Sequence, residues 1–278
     1  MENKIKLVSL DLDGTLLNSQ KNISPRNLAA LSRLRQLGIL MVPITGRPGQ
    51  GLPKEVLALP GLRYVASSNG ATIRDLAQGE ILLKRHLTPE ACLTVLAACQ
   101  HFDMIREVFR DGVGYLSQAD YDRLRTAYKD SPLLPYLLDT REILPGTVEE
   151  FLRDDPRTVE ELFFLTDSTQ TKQRLRETLS PLPGISFADP FPNDLEILIG
   201  GLDKGTALLH LIEHLGIAPE ETLAIGDGGS DLPLLQAAGI GVAMENAVDY
   251  VKAHADWISA SCDEDGVALA LTRFIPGF

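Results

Sequence analysis

The stretch V-S-L-D-L-D-G-T at residues 8–15 decides the fold prediction, because it places two carboxylates where a short apolar run ends. That run, residues 5–10, has the composition of a buried strand. Alternate side chains of an extended backbone point the same way, so we expect Asp11 and Asp13 to begin on one face. Two like charges this close require a cation, a shared proton or strong hydrogen-bond donors, and Mg²⁺ prefers oxygen ligands. The stretch therefore predicts a metal site with a carboxylate available for attack.

Composition restricts the classes of partner. The chain has 278 residues, 44% of them hydrophobic and 23% charged, which is typical of a globular protein and long enough for two domains. A net charge of −12 offers no basic stripe for nucleic acid. We expect no signal peptide, because the first strand pattern starts almost at once, and no membrane span, because no apolar run approaches ~20 residues. Three cysteines, read as buried hydrophobes, indicate the reducing cytoplasm. The oligomeric state stays open.

Strand and helix patterns alternate at both ends of the chain. Ser24-Pro25 predicts a helix start, Gly38 its end, and apolar runs follow at residues 39–44 and 64–66. This rhythm indicates an α/β fold with a parallel sheet and helices on both faces. From about residue 84 to 192 the pattern becomes that of an α+β insertion, with strand patterns at residues 161–166 and 185–188 and a helix pattern at residues 169–179. The parallel-sheet rhythm is expected to return at residues 195–199, 222–225 and 241–244.

Chemistry-bearing residues repeatedly follow the predicted strands of the α/β part. Thr45-Gly46-Arg47 follows residues 39–44, and Lys204 opens a helix pattern at residues 204–215. The Gly-rich turn G-D-G-G-S-D at residues 226–231 follows another strand. Open α/β sheets bind their ligands at the carboxyl ends of strands. Taken singly, each of these is equally an ordinary turn, a strand cap or a solvated lysine.

Together and in this order, these four motifs resemble those of the haloacid dehalogenase superfamily of phosphohydrolases. S-N-G-A at residues 68–71, V-A-M-E-N-A at 242–247 and E-D-G-V at 264–267 are similar to signatures of its Cof-type branch, subfamily IIB. The resemblance implies a Rossmann-like three-layer core with a parallel sheet and an inserted α+β cap domain of the C2B type. We expect the core at residues 1–83 and 193–278 and the cap at residues 84–192.

The resemblance also implies a reaction and its residues. A Mg²⁺-dependent phosphatase of this family hydrolyses a small phosphorylated metabolite, such as a sugar phosphate, nucleotide or cofactor phosphate, through an aspartyl-phosphate. Asp11 is expected to be the nucleophile and Asp13 the general acid and base, with Thr45 and Lys204 stabilising the phosphoryl group. The metal residues are then Asp11, Asp13 (through its backbone carbonyl), Asp227 and Asp231. The residues expected to bind substrate are Leu12, Gly46, Arg47, Asn69 and Ser230.

Two alternatives and one departure remain at this level. A phosphomutase like phosphomannomutase uses the same residues, and a non-catalytic metabolite-binding protein is possible on the same scaffold. Ser230 stands where the branch usually has Asn, which puts that contact with the phosphate in doubt.

Other sequence features carry less weight. Lys204-Gly205-Thr206 lacks the order of a phosphate-binding Walker loop, and His210 and His214 lack the rest of a zinc motif. The residues that set specificity are expected in the cap, where the candidates are Tyr115, Tyr121, Arg123 and Arg125.

Overall fold

The structure is a computed structural model that describes residues 5–130, 134–190 and 192–278. It divides into two compact units. We call residues 1–46, 52–83 and 203–278 the core unit, and residues 47–51 and 84–202 the cap unit. The second boundary falls after residue 202, later along the chain than the expected boundary after residue 192. Within the described ranges, no helix is long and apolar enough to cross a membrane.

The N-terminal half of the core unit alternates strands and helices as predicted as far as the strand at residues 64–67. That strand was expected in the parallel sheet, but it pairs antiparallel with residues 72–75 in a separate three-stranded sheet. The Ser24 hydroxyl accepts a hydrogen bond from the Asn27 amide and Pro25 is the first helical residue, so the predicted helix start is confirmed. The elements are β1 (Leu7–Leu10), α1 (Pro25–Gln36), β2 (Leu40–Pro43), α2 (Lys54–Leu57), β3 (Tyr64–Ser67), β4 (Thr72–Asp75) and β5 (Glu80–Lys84).

The cap unit contains a six-stranded sheet in the order β10-β11-β9-β6-β7-β8. One face of this sheet packs against helices through a cluster that includes Val108, Leu162 and Phe164. The elements are α3 (Pro89–Ala98), β6 (Met104–Arg110), β7 (Val113–Ser117), α4 (Gln118–Ala127), α5 (Leu134–Thr140), β8 (Arg141–Leu144), α6 (Val148–Asp154), β9 (Glu161–Thr166), α7 (Thr169–Leu179), β10 (Ile185–Ala188) and β11 (Asp194–Ile199).

The C-terminal part of the chain completes the core unit. Its elements are α8 (Lys204–Leu215), β12 (Thr222–Gly226), α9 (Leu232–Ala237), β13 (Ile240–Ala243), α10 (Asp249–Lys252), β14 (Trp257–Ile258) and α11 (Gly266–Phe274). Strands pair in the order β14-β13-β12-β1-β2, and every pair in this sheet is parallel. The predicted parallel α/β core is confirmed.

Both faces of the parallel sheet are buried. Val8 and Leu10 lie in one apolar cluster, with Leu31 and Leu34 of α1, whereas Leu7 lies in a second cluster with α8 residues. Successive side chains of β1 therefore pack on opposite faces of the sheet, because side chains alternate along a strand. This gives the three-layer arrangement in which strand ends remain open for a site.

The strand predicted at residues 195–199 belongs to a sheet of the cap unit. Residues 195–199 were expected in the parallel core sheet, but β11 pairs antiparallel with β9 and β10 inside the cap unit. That prediction is wrong. A short apolar run indicates a buried strand without indicating its direction or its sheet, and the register Leu195↔Phe164 is visible only in three dimensions.

Candidate active site

Three carboxylates meet at the carboxyl ends of neighbouring parallel strands. Asp11 follows β1 and Asp227 follows β12, and these strands pair in the register Leu10↔Ile225. Asp231 lies one turn beyond, at the start of α9. Each of Asp11, Asp227 and Asp231 offers an oxygen within 4.8 Å of the others'. The motifs at residues 8–15 and 226–231 are thus brought together.

Lys204 joins this cluster from the first residue of α8. Its Nζ donates to Asp11 Oδ1 at 2.8 Å and to Asp231 Oδ1 at 2.6 Å. The side chain is only 3% exposed. Burial alone would lower the pKa of Lys204, but Asp11 and Asp231 outweigh it and leave the pKa raised. The ammonium group is therefore held in its charged form between two carboxylates.

The cluster holds more negative charge than Lys204 neutralises. Burial, followed by the charge of Asp231, raises the pKa of Asp11 to about 7. Burial and the charges of Asp11 and Asp231 likewise raise the pKa of Asp227 well above its ordinary value. The carboxylates crowd together at a site that a hard cation would stabilise.

Asp231 is already fully engaged within the protein. One of its oxygens accepts from Lys204, and Oδ2 accepts from the backbone amides of Asp227 and Gly228 at 2.9 and 2.8 Å. These bonds fix the turn that presents Asp227. Asp231 therefore shapes the site and holds Lys204, and Asp11 and Asp227 have the more available oxygens.

The donor set fits a hard divalent cation. All three side chains provide carboxylate oxygens, which Mg²⁺ prefers, and no sulfur or imidazole donor belongs to this group of described residues. The surplus charge supplies the electrostatic reason for a cation. The residues present thus fit the expected metal.

The carboxylate of Asp13 is outside this group of three, although its charge contributes to the raised pKa of Asp11. Its Oδ1 accepts from Lys21 Nζ at 3.0 Å, and Asp13 is not in the carboxylate cluster found among the described residues. The expectation that Asp11 and Asp13 share a face assumed extended backbone, but β1 ends at Leu10. The chain turns at once, and Gly14 has a φ of 86°. Participation of the Asp13 backbone carbonyl in metal binding stays a prediction.

Two backbone amides are available beside the nucleophile. In the part of the chain that the structure describes, neither the Leu12 nor the Gly46 amide donates to a backbone carbonyl. Thr45, which is 1% exposed, donates its backbone amide to Ala66 and accepts from the Asn69 amide through its carbonyl. Thr45 and Gly46 thus follow β2, which pairs with β1, and their contact with the phosphate stays a prediction.

The remaining predicted substrate residues are buried in different surroundings. Asn69 (1% exposed) has a left-handed backbone with a φ of 53°, and Ser230 (8%) lies in the 226–231 turn. Arg47 belongs to the cap unit: its guanidinium lies 3.9 Å from the centre of the Tyr136 ring and donates to the Gly51 carbonyl. These positions are compatible with the sequence expectations and leave the contacts with substrate as predictions.

Sequence reasoning missed two residues that hold Asp227. The Thr15 hydroxyl donates to Asp227 Oδ1 at 2.7 Å, and the Asn246 amide lies 3.4 Å from Asp227 Oδ2. Thr15 lies inside the first motif, where a Thr after Gly is typical of a residue that stabilises the turn. Asn246 was inside the signature at residues 242–247, but its spacing gave no indication of a partner at Asp227.

Comparisons with known families agree with this geometry. A family model described as haloacid dehalogenase-like hydrolase matches residues 8–271. A structure of a haloacid dehalogenase-like hydrolase from Bacillus subtilis covers 96% of this chain and 99% of its own, with 27% identity and a TM-score of 0.84.

The sequence relatives differ in how much of their own length this chain covers. Phosphatase YwpJ of Bacillus subtilis is 30% identical over 95% of this chain and 98% of its own length. HMP-PP phosphatase of Klebsiella pneumoniae is 29% identical over 97% and 96%. Endoribonuclease YBEY, chloroplastic, of Arabidopsis thaliana is 30% identical over 98% of this chain, but the chain spans only 47% of that protein.

Proposed function

Because this chain belongs to the haloacid dehalogenase-like hydrolase family, we propose that it is a Mg²⁺-dependent phosphatase of small phosphorylated metabolites. The observation that carries the proposal is the buried Lys204 ammonium, which bridges Asp11 and Asp231 beside Asp227. A nucleophilic carboxylate, a fixed cation and further carboxylates at one strand edge are the groups that phosphoryl transfer needs.

The proposed reaction has two steps. The Asp11 carboxylate attacks phosphorus, the bond to the leaving alkoxide breaks, and Asp13 gives that alkoxide a proton. Asp13 then takes a proton from water, which attacks the aspartyl-phosphate on Asp11 and releases inorganic phosphate. In the resting structure Asp13 is paired with Lys21, so its side chain must leave this ion pair to serve the leaving group.

Charge on the phosphoryl oxygens is distributed over several groups of the chain. We propose four hydrogen-bond donors to the phosphoryl oxygens: the Thr45 hydroxyl, the amides of Leu12 and Gly46, and the Lys204 ammonium. Asp11 and Asp227 would hold the metal, with the Asp13 carbonyl, and Asp231 would fix Lys204 and the turn. When bound, Mg²⁺ would offset the repulsion between Asp11 and a dianionic phosphate. Arg47, Asn69 and Ser230 are the proposed substrate contacts.

The substrate class follows from the relatives and the charge. A relative named as HMP-PP phosphatase aligns along nearly the whole chain, so we infer a small phosphorylated metabolite as substrate. The ribonuclease in the Arabidopsis name is not carried over, because most of that protein lies outside the match and a net charge of −12 disfavours RNA. Buried free thiols at Cys92, Cys99 and Cys262 support a reducing compartment, which we propose to be the cytoplasm.

A panel of phosphate monoesters tests the proposal. Released phosphate is measured with Mg²⁺ and with EDTA for the wild type, Asp11→Asn and Asp249→Asn, the last a matched change at an exposed position of α10. We expect metal-dependent release that disappears in Asp11→Asn and persists in Asp249→Asn.

Other outcomes separate the alternatives. Undiminished turnover in Asp11→Asn would remove the covalent mechanism. A strict requirement for a bisphosphate activator would identify a phosphomutase. An inactive wild type that still binds the metal and retains a phosphorylated metabolite would point to a binding protein.

A further inference from the structure

Asn246 connects three segments of the core unit through its side-chain amide. Its Nδ2 donates to the Gly14 carbonyl at 2.8 Å and lies 3.4 Å from Asp227 Oδ2, and its Oδ1 accepts from the Cys262 amide at 2.8 Å. Both ends of the amide are thus used. Gly14 follows the nucleophile, Asp227 follows β12, and Cys262 comes from the C-terminal segment.

The Gly14 peptide in turn lies directly against the Asp227 carboxylate. A Cβ atom added to Gly14 would overlap the Asp227 carboxylate oxygens, so only glycine permits this approach. Thr15 donates to the opposite oxygen of the same carboxylate. The carboxylate is therefore bounded by the Thr15 hydroxyl, the Gly14 backbone and the Asn246 amide.

The backbone around Asn246 is attached to the same turn. The Met244 amide donates to the Gly226 carbonyl at 3.0 Å, and the Val248 amide donates to the Asp227 carbonyl at 3.3 Å. The segment 244–248 thus follows the Asp227 turn along its length. Because the backbone on both sides is fixed, the Asn246 side chain is held where it can orient Asp227.

We propose that Asn246 is a positioning residue for the metal site, which sets the orientation of the Asp227 carboxylate toward a divalent cation. The inference rests on the proposed function, because it takes Asp227 as a metal ligand. Partners that orient a ligating side chain typically change metal affinity 10–100-fold when they are removed. The contact with Asp227 is long, so we expect the lower end of this range.

The expected effect of Asn246→Ala is specific. Asp227 keeps its hydrogen bond from Thr15 but loses the amide beside Oδ2 and the anchor on Gly14. The carboxylate then samples more rotamers, and binding a cation must order it again. We expect about tenfold weaker metal binding. Asn246 is itself solvent-exposed, so truncation opens no cavity in the apolar core.

Asn27 supplies the matched control. Its Oδ1 accepts from the Ala268 amide at 2.9 Å, so it joins α1 to the C-terminal helix much as Asn246 joins Cys262. Asn27 is in α1, outside the carboxylate cluster found among the described residues. Asn27→Ala therefore removes a comparable amide–backbone bond and is expected to change stability without changing metal affinity.

The measurement is binding of Mn²⁺, an oxygen-preferring divalent probe, followed by electron paramagnetic resonance of the free ion, with no substrate present. The wild type, Asn246→Ala and Asn27→Ala are titrated at a temperature where thermal melting shows each to be folded. If Asn246→Ala does not fold, Asn246→Ser replaces it. We expect Kd to rise about tenfold in the Asn246 variant alone.

The possible results distinguish the positioning role of Asn246 from the proposed metal site. Equal Kd values for the wild type and the Asn246 variant would overturn the positioning role and leave the proposed phosphatase intact. An equal rise of Kd in Asn27→Ala would show that any loss of stability weakens metal binding, and it would also overturn the positioning role of Asn246. Failure of the wild type to bind Mn²⁺ would overturn the proposed metal site, and this inference with it.

Discussion

The core unit and the cap unit each hold a lysine near two aspartates, and the difference between the two groups shows what makes a site. In the core, Lys204 is 3% exposed and contacts Asp11 and Asp231 at 2.8 and 2.6 Å. In the cap, Lys172 is 15% exposed and lies 2.9 Å from Asp189, which is 27% exposed. Its second aspartate, Asp194, interacts with it electrostatically.

The pKa of a buried carboxylate does not by itself distinguish the two regions. Burial raises the pKa of Asp11 and that of Asp194 to about 7 in both. Among the described residues, the group of three carboxylate oxygens within 4.8 Å of one another lies in the core, where Asp227 joins Asp11 and Asp231 at the ends of parallel strands. Function is therefore indicated by several groups converging, and a shifted pKa alone is equally a consequence of packing.

The strongest test of this comparison removes each lysine. In Lys204→Met, Asp11 and Asp231 lose the ammonium that holds them, and the phosphoryl oxygens lose a donor. We expect kcat/KM to fall on the order of 10²–10³-fold. Steady-state kinetics on the best substrate of the panel measures it, with Lys172→Met as the matched change in the cap.

Lys172→Met is expected to change kcat/KM less than about threefold, because Lys172 contacts none of the three carboxylates grouped in the core among the described residues. A loss of the same size in both variants would remove the distinction between the two groups. Thermal melting of both variants separates a loss of activity from a loss of folded protein.

The sequence predicted more of the structure in the core unit than in the cap unit. In the core, Asp11, Lys204, Asp227 and Asp231 could be placed together, because each follows or opens an element whose end lies at one sheet edge. The direction of Asp13 could not be placed, since a side chain beyond a strand end no longer follows the alternation of the strand. The Asn246–Gly14 contact joins residues far apart in the chain, and no local pattern encodes it.

In the cap, local patterns gave elements but not their partners. The helix predicted at residues 169–179 and the strands at 161–166 and 185–188 have the predicted bounds. The strand containing residues 195–199 was correct as an element and wrong in its sheet, because an apolar run pairs equally well with parallel or antiparallel neighbours. Helix α4 was missed in a polar stretch whose buried residue is Leu124.

A second test asks whether the core group depends on tight backbone packing. A Cβ atom on Gly205, beside Lys204, would overlap the backbone of Pro233 in α9. Gly205→Ala favours the helix locally but must push α8 away from α9, which displaces Lys204 from Asp231. Because misplacement by about 1 Å can reduce rates 10²-fold, we expect a 10–100-fold loss of kcat.

Gly239→Ala is the control for Gly205→Ala. Its added Cβ would overlap the backbone of Pro219 and Glu220, again within the core unit but outside the carboxylate group of the described residues. Both variants are expected to lose stability, and only Gly205→Ala should lose kcat at a temperature where both are folded. Matched kcat values would show that Lys204 tolerates movement of its helix.

The smallest effect tests the cap carboxylate. Burial raises the pKa of Asp194 from 3.8 to about 7, with Lys172 opposing and Glu107 adding to the rise. The folded protein therefore binds this proton more tightly than the unfolded chain, and stability falls as the pH rises from about 4 through 7. Asp194→Asn removes that loss, and Lys172 keeps Asp189 as a partner. We expect Tm to rise by several degrees at pH 8 and to change little at pH 4.5.

Thermal melting at the two pH values measures this effect, with Asp189→Asn as the control. That variant removes the ion pairs of Asp189 with Lys172 and Arg176, so it should not raise Tm at pH 8. A lower Tm for Asp194→Asn at pH 8 would contradict the assigned cause, since it would mean that the ionised group stabilises the fold. If Tm rises while turnover is retained, then the raised pKa of Asp194 reflects packing alone. The equal pKa shift at Asp11 would then be significant because Asp11 also accepts a hydrogen bond from Lys204 and belongs, with Asp227, to the group of three carboxylates.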